Sequence, residues 1–222
     1  MKRKLLVTVF AAGAMCLSAI QSQATIIVTN TLWTFEASIP TTGGPHAPEF
    51  GSGQATQVGA TTRSNPLGNG SQESFAANQW NTGEYFQFQV STLNNHSLKL
   101  EWDQTRSGTG PDDFILRYST DGIGFSDFAN YVVLQESPGN GGNWNAITRI
   151  PNYTFNYNLS GLAAINNQAN VYFRLTTTDN PGGTGTSRVD NFLVTSSLIP
   201  EPSTVLLMSL GGYLVWRRRR AV

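Results

Sequence analysis

Carboxylates beside glycine-rich segments are the side chains of this sequence best suited to bind a metal ion. The densest of them are Asp112, Asp113 and Asp190. Calcium takes about six to eight oxygen ligands and often combines carboxylates with loop carbonyls, so these residues predict a structural Ca2+ site with Asp190 as its main ligand. The alternative is a structural role, in which Asp190 accepts hydrogen bonds from the backbone of a neighbouring loop or pairs with an arginine. The sequence contains no EF-hand spacing and no nonapeptide calcium repeat.

A tryptophan between two asparagines is the best candidate for a contact with sugar. Trp144 follows two glycines and is flanked by Asn143 and Asn145. An aromatic ring can stack on the C–H face of a pyranose, and amides can bond its hydroxyl groups. This pattern predicts an exposed Trp144 in a carbohydrate-binding loop. Burial in the core is the alternative, and it is the prediction for Trp102 at the end of an alternating segment.

Of the acidic residues in the sequence, two on one predicted strand are the best candidates for a catalytic pair. Glu101 and Asp103 are two residues apart and share a strand face, a spacing compatible with the acids of a glycosidase, with Asp112 as a further acid. A solvated strand face is the alternative. The sequence has no H-E-x-x-H or G-x-S-x-G motif, and His46 and His96 have no partner at metal-binding spacing. We therefore expect a protein that is not an enzyme, with an extracellular glycan hydrolase as the alternative.

Alternating apolar and polar residues predict the strands that position these groups. In EYFQFQV, two phenylalanines and Val90 fall on one face, while Tyr85 and two glutamines fall on the other. Residues 120–122 predict a hairpin turn, LSGLAAINN a short helical turn, and residues 40–81 edge strands and long loops. Many short strands without long helices predict an all-β sandwich of two antiparallel sheets. Further strands are predicted at TIIVTN, HSLKLEW, DFILRYS, YVVLQE, VYFRLTT, RVDNFLV and around 153–157.

Charge is divided unequally between the ends of the sequence and its middle. Seven of the fourteen Lys and Arg residues lie at 2–4 and 217–220. The segment 25–199 holds the other seven against thirteen acidic residues, a net charge of −6. A body of this charge with a single lysine excludes nucleic acid as a partner held by bulk electrostatics.

The first 24 residues have the pattern of a secretory signal peptide. Three basic residues precede an apolar run, and Ser22-Gln23-Ala24 supplies small residues at the positions that signal peptidase requires. Cleavage is predicted after Ala24, with a retained membrane anchor as the alternative. The only cysteine, Cys16, lies in this segment, so the mature chain is predicted to lack disulfides.

The C-terminal residues combine a proline motif, an apolar run and an arginine cluster. The run at 205–216 would form a helix of about 18 Å, shorter than the roughly 30 Å of a bilayer core. The arginines stay on the cytoplasmic side, which places the body outside the inner membrane. Together, Pro200, Glu201, Pro202 and Arg217, Arg218, Arg219, Arg220 resemble the PEP-CTERM sorting signal of Gram-negative bacteria that produce exopolysaccharide. The resemblance implies removal of the tail by an exosortase and delivery to the cell surface or extracellular matrix. A permanent anchor is the alternative.

The body resembles the jelly-roll domains often found before this signal. The similar segments are SGTGPDDFILRYSTDG, VYFRL and SRVDNFLV. The resemblance implies a galactose-binding-like or lectin-like sandwich and does not define its ligand. The expected organisation is therefore a signal peptide at 1–24, a β-sandwich at 25–197 and a sorting signal at 198–222. The expected function is a structural or weakly carbohydrate-binding protein that associates with exopolysaccharide.

Overall fold

Eight of the eleven strands form four nested antiparallel pairs. The outermost two of the eight in sequence pair with each other, and the next two pair inside them. The structure, a computed structural model, describes residues 26–181 and 184–199. Its strands are β1 Ile27–Trp33, β2 Gly53–Val58, β3 Thr62–Ser64, β4 Phe75–Asn78, β5 Tyr85–Val90, β6 Asn95–Arg106, β7 Asp113–Ser119, β8 Ser126–Val132, β9 Thr154–Asn158, β10 Val171–Thr177 and β11 Thr186–Leu198.

The nested pairs form a jelly roll. β4 pairs with β11, β5 with β10, β6 with β9 and β7 with β8. These pairs join into two sheets, one in the order β3-β4-β11-β6-β9 and the other in the order β2-β5-β10-β7-β8, while β1 pairs with the second half of β11. A long hairpin rolled into two facing sheets is the jelly-roll arrangement. The predicted two-sheet antiparallel β-sandwich is therefore confirmed.

Aromatic side chains from both sheets fill the space between them. Phe88 of β5 stacks on Phe192 of β11 with ring centres 3.6 Å apart. Trp33 contacts both rings edge-on, at 5.3 Å and 6.0 Å. Trp102 is fully buried against Phe192, so its predicted burial is confirmed. Aromatic pairs of this kind stabilise a core by about 0.5–1.5 kcal/mol each beyond the burial of their area.

Most predicted strands are present, but one is displaced. The segment YVVLQE was expected to be a strand, whereas β8 begins at Ser126 and ends at Val132. The hairpin with β7 explains the difference, because its pairing starts directly after the turn at 120–125. The segment 40–81 contains the edge strands β2 and β3, as expected, but also β4, an interior strand that pairs with both β3 and β11. Residues 163–165 form a single 3-10 turn.

The predicted signal peptide with its cleavage site at Ala24, and nearly all of the sorting signal, lie outside the described residues. Between 26 and 199, apart from 182–183, there is no helix with the length and hydrophobicity needed to cross a bilayer. β11 continues to Leu198, one residue past the expected domain boundary. The division into three segments otherwise stays a prediction.

Candidate functional site

A row of polar side chains crosses all five strands on the outer face of the five-stranded sheet. Cross-strand pairing brings together Thr56 of β2, Gln87 of β5, Arg174 of β10, Arg117 of β7 and Asp127 of β8. Directly paired residues of antiparallel strands point to the same face. The alternate residues of β5 and β10 are buried in the core, so this set, which we call the arginine row, faces outward.

Two aromatic rings hold the guanidinium group of Arg174. Its central carbon lies 3.9 Å from the ring centre of Tyr85 and 3.6 Å from that of Phe125. Its Nε donates a hydrogen bond of 2.8 Å to Gln87 Oε1. Burial lowers the pKa of Arg174, and the charge of Arg117 acts in the same direction. Cation–π contacts contribute about 0.5–2 kcal/mol each, so the group is fixed in place without any ligand.

Arg117 lies directly opposite Arg174 on the neighbouring strand. Like charges in this position destabilise an antiparallel pair. Asp127 offsets one charge, because its Oδ1 lies 2.7 Å from Arg117 Nε. Both of these side chains are exposed enough for water to screen the ion pair. The row therefore retains one net positive charge on a body whose net charge is −6.

The loop between β7 and β8 borders the arginine row. Asp121 caps this loop by accepting backbone hydrogen bonds from Ile123 and Gly124 at 2.8 Å and 2.9 Å. The bond from Ile123 is the largest cause of the lowered pKa of Asp121. Gly122 has a φ of +75° and packs closely on the Tyr172 ring, where a Cβ atom would lie 3.1 Å from Cζ. The predicted turn is confirmed, and it holds Tyr172 beside the row.

One arginine binds both acids of the predicted catalytic pair. Arg149 donates to Asp103 Oδ2 at 2.7 Å and Oδ1 at 2.8 Å, and to Glu101 Oε1 at 2.7 Å. Asp103 is fully buried and also accepts hydrogen bonds from Thr154 Oγ1 at 2.6 Å and Asn191 Nδ2 at 2.8 Å. The hydrogen bond to Asp103 is the main cause of the raised pKa of Arg149. Asp103 is saturated with donors, which favours a structural role over acid–base chemistry.

Asp190 accepts hydrogen bonds from a neighbouring loop. It lies opposite Asp103 in the β6–β11 pair, at a bulge where Asn191 has a φ of 51°. Its carboxylate accepts hydrogen bonds from the backbone of Asn69 at 2.8 Å, the backbone of Asn191 at 2.7 Å and the hydroxyl of Ser71 at 2.5 Å. Burial raises the pKa of Asp190 to about 7. The structural alternative named for Asp190 is thus the one observed.

The other two predicted calcium ligands lie at the start of β7. Asp112 forms an ion pair of 3.1 Å with Arg106, and Asp113 is exposed to solvent. In the described part of the chain, no three His, Cys, Asp or Glu side chains are grouped closely enough to hold a metal ion. Asp112, Asp113 and Asp190 therefore do not come together as the predicted site requires.

The expectation that Trp144 is exposed is wrong. Only 4% of its surface is accessible. The guanidinium group of Arg188 lies 4.8 Å from the ring centre, and Tyr153 packs against the ring edge-on at 6.2 Å. Glu136 completes the cover, because it binds Arg188 and accepts a 2.7 Å hydrogen bond from the Trp144 backbone. The ion pair of Arg188 on β11 with Glu136 thus covers this ring and shields it from solvent.

The two asparagines that flank this tryptophan have different surroundings. Asn143 is exposed. The Oδ1 atom of Asn145 accepts hydrogen bonds of 3.0 Å and 2.9 Å from the backbone of Ile147 and Thr148. The Asn145 side chain therefore stabilises the turn that follows it. Their predicted role in sugar binding stays a prediction.

Sequence reasoning missed the arginine row. The available signal was the polar face of EYFQFQV, where Tyr85, Gln87 and Gln89 alternate with core residues. That signal identifies one outward strand face but not its neighbours. The row exists because β10 lies between β5 and β7, and strand order cannot be read from alternation alone.

The C-terminal residues match a known family. The model of the PEP-CTERM protein-sorting motif matches residues 198–220, which include the proline motif and the four arginines. The chain carries a PEP-CTERM sorting motif. This motif implies export, a sorting step at the membrane and processing by an exosortase. A search of curated protein sequences finds no match to the chain.

Several solved structures are similar to the body that precedes the PEP-CTERM motif. One is the K2 cleaved adhesin domain of Lys-gingipain, with 13% identity, coverage of 76% of this chain and 97% of that one, and a TM-score of 0.44. A xylan-binding module, CBM15, has 12% identity, coverage of 80% and 99%, and a TM-score of 0.43. TmCBM61, solved in complex with β-1,4-galactotriose, has 9% identity, coverage of 72% and 92%, and a TM-score of 0.41.

Proposed function

We propose that this chain is an exported, non-catalytic protein that binds acidic polysaccharide through the arginine row. The PEP-CTERM motif supports delivery to the cell surface or extracellular matrix, where exopolysaccharide is the expected partner. The observation that carries the proposal is the direct opposition of Arg174 and Arg117 on an outward sheet face. Asp127 offsets the charge of Arg117, so the charge of Arg174 is the one that an external anion can neutralise.

The geometry of Arg174 supports a carboxylate or sulfate as the group recognised. Its Nε is bonded to Gln87, and among the described residues its two terminal nitrogens donate no hydrogen bond. A guanidinium group binds an oxyanion through two parallel N–H bonds, and a group already fixed in position loses less entropy on binding. Tyr85 and Phe125 provide that fixation.

The side chains beside the row suit the rest of a sugar. Gln89 and Tyr172 are paired across β5 and β10, one row along from Arg174. The Gln89 amide bonds Asn170 Oδ1 at 2.6 Å, which orients its carbonyl oxygen. Amides and phenol groups can exchange hydrogen bonds with hydroxyl groups. These contacts are few, and the body is acidic overall, so the expected affinity is weak and falls with added salt.

A matched pair of polymers tests the proposal. We expect the purified body to bind polygalacturonate and to bind neutral galactan at least about tenfold more weakly, since hydrogen bonds to charged groups contribute about 1.5–3 kcal/mol. Arg174→Gln should weaken binding of polygalacturonate by a similar factor and leave binding of galactan unchanged. Lys99→Gln is the control, because Lys99 is exposed on the other sheet and its loss changes the net charge equally.

Isothermal titration at low and physiological salt provides the measurement. Equal affinity of the wild type for the two polymers would refute acidic recognition. Equal losses in Arg174→Gln and Lys99→Gln would show attraction by net charge alone and would refute the arginine row as the site.

Removal of the tail tests the sorting step separately. Deletion of residues 203–222 should leave the melting temperature unchanged and prevent delivery to the surface, because β11 ends before the deletion. Replacement of Arg217–Arg220 by glutamine should let the tail pass through the membrane uncut. Intact-mass analysis of the exported protein shows whether the tail has been cut. Normal surface delivery of the truncated chain would contradict the sorting role.

A further inference from the structure

Exposed apolar side chains gather where the body joins the sorting motif. Ile26, Ile27, Leu93, Leu198 and Ile199 are each between 40% and 65% accessible. We call this set the terminal patch. Single exposed apolar residues are ordinary, whereas a group of them marks an interaction surface.

Hydrogen bonds hold the terminal patch together. The Leu198 N–H bonds the Ile26 carbonyl oxygen at 3.1 Å, and the Ile199 N–H bonds the Asn94 carbonyl oxygen at 2.9 Å. Leu93 precedes Asn94 directly, and Ile27 pairs with the residue before Leu198. Three chain segments that are distant in sequence thus meet at one end of the six-stranded sheet.

The one charged side chain in the cleft beside the terminal patch is basic. Lys99, the only lysine in the body, lines the same shallow cleft of about 170 Å³ as Ile27. The residues of the patch and its bonded neighbours at 94–96 include no acid, although the body holds thirteen. An apolar surface with a nearby lysine is the composition that lipid interfaces favour.

The length of chain after the patch limits its distance from the membrane. Five residues, 200–204, separate Ile199 from the apolar run that begins at Val205. Fully extended, they reach at most about 20 Å. While the apolar run is in the bilayer, the terminal patch must therefore lie within that distance of the membrane surface.

We propose that the terminal patch docks on the outer leaflet of the inner membrane while the tail is inserted. Apolar faces of peripheral elements enter the boundary between headgroups and acyl chains by about 5–10 Å. Lys99 meets anionic headgroups, which attract basic side chains close to the membrane surface. Docking orients the body with the proline motif held at the height of the headgroups. The inference depends on the sorting motif and not on the arginine row.

Single labels on the predicted mature chain, residues 25–222, test this orientation. Because Cys16 is the only cysteine and lies in the predicted signal peptide, this chain provides a cysteine-free background for Ile27→Cys or Leu93→Cys labelled with a polarity-sensitive fluorophore. The control is Ile147→Cys, whose parent residue is 90% exposed on a loop beside Arg149. Each protein is reconstituted through its tail into vesicles of phosphatidylethanolamine and phosphatidylglycerol, and quenching by iodide and by lipid-borne spin labels is compared.

We expect labels at residues 27 and 93 to lose about half of their quenching by iodide and to gain quenching by lipid, while the label at 147 keeps its aqueous behaviour. Two positions guard against a variant that fails to fold. Equal iodide quenching at all three positions would overturn the proposal. Protection that appears without vesicles would assign the patch to a second copy of the chain, and protection that needs added exosortase would assign it to that enzyme; both outcomes would also overturn it.

Discussion

Loss of Arg149 should destabilise the body even though the residue lies at the surface. Its guanidinium group makes two hydrogen bonds of 2.7 Å and 2.8 Å to Asp103, which is fully buried. Arg149→Met keeps the length of the side chain and removes the charge. Asp103 then retains only the Thr154 hydroxyl and the Asn191 amide as partners.

The size of the effect follows from the burial of the two partners. Breaking a buried ion pair from one side costs about 3–5 kcal/mol, because an uncompensated charge stays in the interior. The Arg149 side chain is 40% exposed, so water partly replaces it and the lower end of this range applies. A loss of about 3 kcal/mol corresponds to a fall in melting temperature of about 6–12 °C for a domain of this size.

Thermal unfolding followed by tryptophan fluorescence measures the change. Asp103→Asn combined with Arg149→Met should recover at least about half of the lost stability, since replacing both partners of a buried pair is often neutral. Lys99→Gln is the control, because it removes an exposed cation from β6, the strand that carries Asp103. A melting temperature for Arg149→Met within about 2 °C of the wild type would show an ordinary surface ion pair and would refute the reasoning.

Two further changes probe the buried groups. Burial raises the folded pKa of Asp190 to about 7, above the unfolded value near 3.9. The folded state therefore holds this proton more tightly than the unfolded state, which stabilises the fold at low pH. The melting temperature should fall as the pH rises from about 4 to 7. Asp190→Asn should flatten that profile, and a wild-type melting temperature that rises over this range would contradict the burial argument. Trp144→Ala should cost about 3–5 kcal/mol, as buried tryptophans do, and leave binding of polygalacturonate unchanged. A selective loss of polymer binding at normal stability would instead restore the sugar-stacking role of Trp144.

Alternation predicted the faces of strands well because it depends only on local spacing. Phe86, Phe88 and Val90 are buried and Tyr85 points outward, as EYFQFQV indicates. The prediction failed at β8, an edge strand in which only Tyr131 is buried and alternation is weak. The pairing of β8 with β7 shifts register at Phe128, between Leu116 and Arg117, and such a bulge interrupts the period-two pattern.

The candidate site depended on contacts between distant parts of the chain. The burial of Trp144 comes from Arg188, which follows 44 residues later and reaches the ring only because β11 crosses the six-stranded sheet. The opposition of Arg117 and Arg174 likewise requires β7 and β10 to be neighbours. Residue types indicated what these side chains could bind. Their surroundings came from topology, which a single sequence does not encode locally.

The nested pairing has one more consequence, for the evolutionary reuse of this domain. Its first and last described strands leave the sandwich side by side, with Ile26 and Leu198 joined by a 3.1 Å hydrogen bond. A domain whose two ends lie close together can be inserted into a surface loop of another protein without separating the ends of that loop. The same closeness would allow a short bridge between residues 26 and 199, with new ends cut at an exposed turn such as 120–125. This jelly roll therefore has the geometry of a domain that tolerates insertion into other proteins and circular permutation.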